Sequence, residues 1–416
     1  MLKKTDPQIF RLIELEEKRQ REGLVLIPSE NYASLAVREA SGSVLTNKYS
    51  EGYPGKRYYS GNQFIDQVEK LAQERAKKLF GVPYVNVQPF SGAPANQAVY
   101  YALLQPGDAV MGMELSSGGH LTHGSPVNFS GRYYQVATYK VDEKTGLLDY
   151  DQAALVAKKV KPKLIWVGFS AYPRIVDWAR FGKIAENCGA FLVADIAHYA
   201  GLIAAGVYPT PVPWAHILTT TTHKTLRGPR GAMIMVTKKG LEKDPDLPTK
   251  IDKAVFPGIQ AGPHDQTTAA IAVCLKEASL PSFKKYARQI VKNAQVLAEE
   301  LAKSGFDLVS GGTDNHLILV DLTNKGVTGK QVQDALEAAG IFVNKNTVPG
   351  EKRSPFDPSG IRLGTPAVTT RGMREKEMKL IAGWINAVVE KMGKPQVAEA
   401  VRLAVLEFIQ KFPVPR

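Results

Sequence analysis

Residues 219–231 read Thr-Thr-Thr-Thr-His-Lys-Thr-Leu-Arg-Gly-Pro-Arg-Gly, so one lysine, Lys224, leaves a β-branched strand and enters a hydroxyl-rich, basic loop punctuated by glycine. A lysine amine attacks a carbonyl only when unprotonated, and partial burial with neighbouring cations favours that form. His223, Arg227 and Arg230 beside Lys224 therefore suit covalent amine chemistry, such as a Schiff base to the aldehyde of pyridoxal phosphate. A surface lysine in a turn has the same neighbours without the chemistry, so the rest of the chain must supply a cradle.

Several features could form it. Asp195 ends the apolar strand Phe191-Leu192-Val193-Ala194, 29 residues before Lys224, where a carboxylate would keep a pyridine nitrogen protonated. His198, three residues on, suits the phenolic oxygen or a substrate carboxylate. Ser91-Gly92-Ala93 opens a helix after Gln88-Pro89-Phe90, and free N–H groups at a helix start, approachable across a glycine, bind phosphate. His120, carried on Gly118-Gly119, can lie flat on an aromatic ring, and Ser170 sits at another strand end. Singly these read as a strand-end turn, a serine N-cap and an ordinary histidine; together, in this order, they point to one site.

The elements that must position them alternate. Strands are expected at 85–88, 109–115, 163–170, 191–195 and 217–222, with a helix from about Gly92 and another within 175–188. Such alternation means a mostly parallel sheet covered by helices, with ligands at the carboxyl ends of the strands. From about Pro281 the pattern changes to a long helix (282–303), short strands at 317–322 and 342–344, and two final helices. The reading is an α/β chain with an N-terminal helical arm (1–30), a large domain (31–280) and a smaller C-terminal domain (281–416). Ile9, Phe10, Leu12, Ile13 and Leu15 give the arm one sticky face.

Composition narrows the class. Charged residues at 22% and hydrophobic residues at 44% fit a globular protein, and 416 residues fit two domains. Two cysteines, Cys188 and Cys274, cannot make a disulfide framework and suit a reducing cytoplasm. Acidic residues interrupt the N-terminal apolar run, so no signal peptide is read, and Asp195 and His198 argue against a span at 189–209. A net charge of +13 could attract nucleic acid, yet no aromatic-interleaved basic block, zinc spacing or low-complexity arm accompanies it.

Nine blocks carry a closer resemblance: LIPSEN (26–31), LTNKYSEGYPGKRYY (45–59), NVQPFSGAPAN (86–96), GGHLTHGSPVNFSG (118–131), SAYPR (170–174), DIAHYAGLIAAG (195–206), TTTTHKTLRGPRG (219–231), VFPGIQ (255–260) and SGIRLGTPAVTTRG (359–372). Through nearly the whole chain they resemble the serine hydroxymethyltransferase family, pyridoxal-phosphate enzymes of the aspartate-aminotransferase fold type (fold type I). The resemblance implies a large domain with a seven-stranded sheet sandwiched by helices and a smaller α+β domain. It implies reversible transfer of the serine hydroxymethyl carbon to tetrahydrofolate, giving glycine and methylenetetrahydrofolate, with side activity on other β-hydroxy amino acids.

Roles follow from the same resemblance. Lys224 matches the Schiff-base lysine, Asp195 the pyridinium partner, His120 the stacking histidine, and Ser91, Gly92 and Ala93 the phosphate loop. Ser170 and His198 match groups near the phenolic oxygen, and Arg362, with Ser29, Tyr59 and His198, the substrate contacts. His223 influences reaction specificity, and Thr221, Tyr58 and Glu51 join it in catalysis, Glu51 by proton transfer. Leu115, Gly119, His120, Leu121, Asn346 and Ser354-Pro355-Phe356 match the folate pocket. The family's active site is shared across a homodimer, so Tyr49, Glu51, Tyr58, Tyr59 and the Gly262 loop would serve the neighbouring subunit; a tetramer is equally compatible. No metal, membrane or obligatory nucleic acid is implied. Ala261, Ala232, Tyr208 and Pro28 depart from the family's usual glycine, glycine, histidine and alanine. Two rivals remain: a folate-independent β-hydroxy-amino-acid aldolase on the same scaffold, and a basic RNA-binding regulator.

Overall fold

The computed structural model describes residues 1–415, which divide into two compact units, 33–288 and 1–32 with 289–415. The larger unit is organised by seven strands: β1 (Tyr84–Asn86), β2 (Ala109–Met113), β3 (Gln135–Tyr139), β4 (Leu164–Val167), β5 (Phe191–Asp195), β6 (Ile217–Thr221) and β7 (Ala232–Val236). Their spatial order is β1-β7-β6-β5-β4-β2-β3, and only β7 runs against its neighbours. Central strands such as Leu-Ile-Trp-Val and Ala-Met-Ile-Met-Val are buried along their whole length. Continuous apolar runs are what a sheet covered on both faces requires.

On one face, helix Gly92–Leu103 and residues Leu247–Val255 pack against Leu164, Trp166, Val193, Ile217, Ile234 and Val236. Alternation sends Ile165, Leu192, Leu218, Met233 and Met235, all fully buried, to the other face. Helix Trp178–Cys188, with Phe181 and Ala185 fully buried, packs on β4 and β5. Strands β3 and β7 have no counterpart among the sequence-read strands. Helix Ala200–Ala204 follows β5 where a loop is expected.

The other unit holds a four-stranded antiparallel sheet in the order Asp307–Leu308, Leu317–Asp321, Gly360–Gly364, Asn344–Asn346. The strand read at 342–344 is two strands: Ile341–Phe342 pairs in parallel with Leu24–Val25, and Asn344–Asn346 joins the main sheet. Leu24 and Leu26 are fully buried in a core with Leu297, Ile318, Val320, Leu336, Leu363 and Ile385. The amino-terminal segment therefore shares this unit's core instead of standing as a separate arm. Helix Pro7–Glu22 itself buries no residue, and Ile9, Leu12, Ile13 and Leu15 are exposed.

One buried cation ties both ends of the chain into this unit. Arg371 donates to the carbonyls of Gly23 (2.8 Å) and Phe412 (2.6 Å), and to those of Gln20, Arg21 and Ile409. Arg371→Met should destabilise the protein by about 3 kcal/mol or more in denaturant unfolding, because five carbonyls, those of Gly23 and Ile409 buried, lose their donor. Arg371→Lys should restore only part, since an ammonium cannot reach five acceptors from a planar fork.

Candidate active site

The carboxyl ends of β2, β4, β5 and β6 open on one cavity lined by Gly92, His120, His123, Phe169, Ser170, Asp195, Ala197, His198, Thr221 and Lys224. Sequence-read residues from five separate segments thus meet in one place. Ser91 is the N-cap of helix Gly92–Leu103, but its side chain makes no capping bond, which leaves the first N–H groups and the hydroxyl available to an anion. At Gly92 a Cβ would stand 2.7 Å from Thr221 Cγ2, so glycine keeps the helix start against β6. Thr221 Oγ1 is buried with no partner.

Asp195 is the electrostatic centre. His123 Nε2 lies 3.1 Å from its Oδ2, Asn96 Nδ2 donates to the same oxygen at 2.9 Å, and the Ala197 N–H donates to Oδ1 at 3.1 Å. Burial alone would raise its pKa, but the His123 hydrogen bond, the His123 and His120 rings and Asn96 outweigh it and hold the carboxyl well below its usual range. His123 and Asn96 were absent from the sequence reading. The pattern that could have found them is spacing: Asn96 lies one helical turn after Gly92, and His123 three residues after His120.

His120 is neutral. Burial, then His123, push its pKa down to about 4, with Lys224 adding to the effect against Asp195. The Thr122 N–H donates to Nδ1 (3.3 Å) and the Thr122 hydroxyl lies 2.7 Å from it, so Nδ1 is an acceptor and Nε2 carries the proton. The donor atoms of His120, His123 and Asp195 come within 4.8 Å of one another, a spacing a metal would also accept. Hydrogen bonding already accounts for it, since Nδ1 of His120 faces Thr122 and Nε2 of His123 faces Asp195.

The lysine loop corrects one expectation. Three cations were expected beside Lys224, but burial, followed by Lys224 and Arg230, drives His223 down to about 3, so its ring is neutral. Arg230 Nη1 donates to His223 Nε2 at 3.0 Å, which places the proton on Nδ1, a buried atom with no partner. Arg227, at φ +61°, turns its guanidinium onto Tyr286, 4.2 Å from the ring centre. The loop offers Lys224 one neutral donor and two engaged arginines.

A charged carboxylate, a neutral ring, an uncapped helix start and a lysine around one cavity fit pyridoxal phosphate on chemical grounds. The buried, unpartnered Thr221 hydroxyl belongs with them. Arg362 lies in the other unit, 9% exposed on strand Gly360–Gly364, with Nε donating to Asn344 Oδ1 at 3.2 Å. Ser29 follows Pro28, whose ring packs on Gly364. Asn346 is half-buried there, whereas Ser354, Pro355 and Phe356 are exposed. In the larger unit Leu115 and Leu121 are exposed and Gly119 is buried against Met113 O.

Tyr49, Tyr58 and Tyr59 are exposed, and none of them, nor Glu51 or Gly262, lines the cavity of their own chain. Their loop is nevertheless fixed. Arg57, 4% exposed, pairs with Asp66 and Glu69 and donates to the carbonyls of Ser50 and Gly52, while Gln88 donates to Gly52 O and Glu69. Tyr49 donates to Glu51 at 3.2 Å, and Gly262 lies against the Tyr49 ring. Tyr208 is buried, stacks on Tyr199, accepts from the Val176 N–H and donates to Arg174 O.

A depressed carboxyl pKa stabilises the fold fully above the unfolded value, about 3.9, and loses that contribution as pH falls through the folded one. The unfolding free energy of the cofactor-free protein minus that of Asp195→Asn should therefore be flat above about pH 5 and fall below about pH 4. Urea titrations at several pH values measure it; a difference independent of pH contradicts an ionised buried Asp195.

Residues 2–385 match the family model described as serine hydroxymethyltransferase. The chain is 59% identical to the serine hydroxymethyltransferase of Acidothermus cellulolyticus, covering 99% of this chain and 96% of that one. It is 56% identical to that of Desulfotalea psychrophila, covering 100% and 96%. Matched through nearly its whole length, the chain belongs to the serine hydroxymethyltransferase family.

Proposed function

We propose that this chain's own residues divide the work of its family's reaction, the interconversion of serine and glycine with tetrahydrofolate, around the cavity at Lys224. The observation that supports it best is the Asp195 carboxylate, kept charged by three donors at the floor of a cavity that also holds Lys224. Bound pyridoxal phosphate supplies an electron sink for the carbanion left when the serine Cα–Cβ bond breaks. Lys224 would offer the anchoring amine, and Asp195 would keep a proton on the pyridine nitrogen. His120, neutral and proton-bearing at Nε2, would lie against the ring face. The N–H groups of Gly92 and Ala93 with the Ser91 hydroxyl bind the phosphate. Ser170 and His198 would lie near the phenolic oxygen, the unpartnered Thr221 hydroxyl is available to the reaction, and His223 has an unused proton at Nδ1.

Arg362 would take the substrate carboxylate by two parallel N–H bonds, and Ser29 and Tyr59 are the further candidate substrate contacts. Glu51 moves the proton at the serine hydroxyl, with Tyr58 as its neighbour in the loop. Leu115, Gly119, Leu121, Asn346 and Ser354-Pro355-Phe356 hold the folate. The exposed yet rigid Tyr49–Tyr59 loop favours a homodimer in which it and Gly262 complete the partner's site. A cytoplasmic setting suits the free thiols Cys188 and Cys274, and no helix among the described residues is long and apolar enough to cross a membrane.

Serine turnover with and without tetrahydrofolate tests the reading. Cleavage should depend on the folate, and folate-independent cleavage at the same rate would favour the aldolase. Lys224→Ala should abolish the absorbance of bound cofactor at the blue edge of the visible. Arg362→Ala should raise the serine KM roughly 10- to 100-fold. Glu51→Gln should lower kcat about 10²- to 10⁴-fold while cofactor binding persists.

A further inference from the structure

A second cavity, of about 770 Å³, lies in the larger unit and shares no lining residue with the first. Helix Gln63–Phe80 gives it Arg75 and Lys78, the end of helix Asp265–Ala278 gives Lys276, and the start of helix Pro281–Lys303 gives Lys284. Residues 203–206 close the remaining side, and no carboxylate lines it. Among the described residues Lys78, Lys276 and Lys284 form no ion pair, and Arg75 commits one donor to Ala272 O at 2.7 Å. The terminal carbonyls of helix Asp265–Ala278 are taken by the N–H groups of Ser279 and Leu280, so they add little opposing charge. Four cations around a concave, acid-free space concentrate positive potential. The volume is that of a small-molecule site, too compact for a polymer.

The walls reach the lysine loop at three consecutive residues. Gly201, two residues before the lining segment, donates from its N–H to Thr225 Oγ1 at 2.9 Å. Cys274, beside the lining residue Leu275, contacts Leu226 O at 3.4 Å. Phe283 and Tyr286, flanking Lys284, hold the Arg227 guanidinium at 5.5 and 4.2 Å. We propose that this cavity binds a compact multivalent oxyanion of the pyrophosphate or triphosphate class, and that its occupancy is transmitted through Thr225, Leu226 and Arg227 to the loop bearing Lys224. The anion would draw the helix ends and residues 203–206 together, and three of these elements, helices Ala200–Ala204, Asp265–Ala278 and Pro281–Lys303, already grip the loop.

Calorimetric titration of pyrophosphate into the cofactor-loaded protein, at ionic strength fixed with chloride, tests the site. Wild type should bind one pyrophosphate per chain, and Lys78→Gln/Lys276→Gln should bind roughly tenfold more weakly or worse. Lys158→Gln/Lys159→Gln, which removes the same charge elsewhere, should bind as wild type does. Equal affinity in all three proteins, or no binding, overturns the site. Amide hydrogen exchange in segments 200–206 and 225–228 should slow on pyrophosphate addition; binding with unchanged exchange at 225–228 overturns the coupling. Neither readout depends on serine turnover.

Discussion

The structure is arranged around one costly element, a carboxylate kept ionised away from water. A buried charge persists only when donors replace its hydration. Asp195 obtains three, from different elements: Asn96 on the helix after β1, His123 in the loop after β2, and the backbone of Ala197 following β5. To deliver them, strand ends far apart in sequence must converge within a few ångströms. The parallel sheet does this because right-handed crossovers bring successive carboxyl ends to one edge. His123 in turn stacks on Trp166 of β4, so the orientation of its donor is fixed by packing with the sheet core.

The lysine loop shows the same logic with the opposite sign. Arginines adjacent in sequence have partners of their own: Arg227, at a positive φ, stacks on an aromatic pair, and Arg230 is engaged by His223. What the loop retains is rigidity. Thr225, Leu226 and Arg227 are each held from a different element, so the position of Lys224 is set by its successors. Burial of His223 and His120 removes charge that the bare residue types suggest, and their hydrogen bonds select which ring nitrogen remains a donor.

Much of the larger unit was legible because β2, β4, β5 and β6 are short runs rich in apolar and β-branched residues, a pattern that survives without tertiary context. β7 was not, since Ala-Met-Ile-Met-Val after Gly231 lacks the alternation that marks a half-buried strand, and its reversed direction is a property of pairing. The Ile341–Asn346 stretch reads as one strand locally but serves two sheets, because Leu24–Val25 takes its first half. The residues proposed for the cofactor stood out through their order along the chain. Asn96 and His123 were hidden, because a helix-interior asparagine and a second histidine acquire meaning only when an acidic partner from another strand arrives.

The sequence by itself determined the chemistry available: which amine, which carboxylate, which rings and hydroxyls, and the strand–helix rhythm that sends them to one edge. These are properties of residue type and local period, fixed before any long-range contact forms. Tertiary structure alone decided charge and direction, because both depend on neighbours brought from elsewhere. Desolvation neutralised two histidines, three donors kept one aspartate ionised, and an aromatic pair at Phe283 and Tyr286 took up the Arg227 guanidinium.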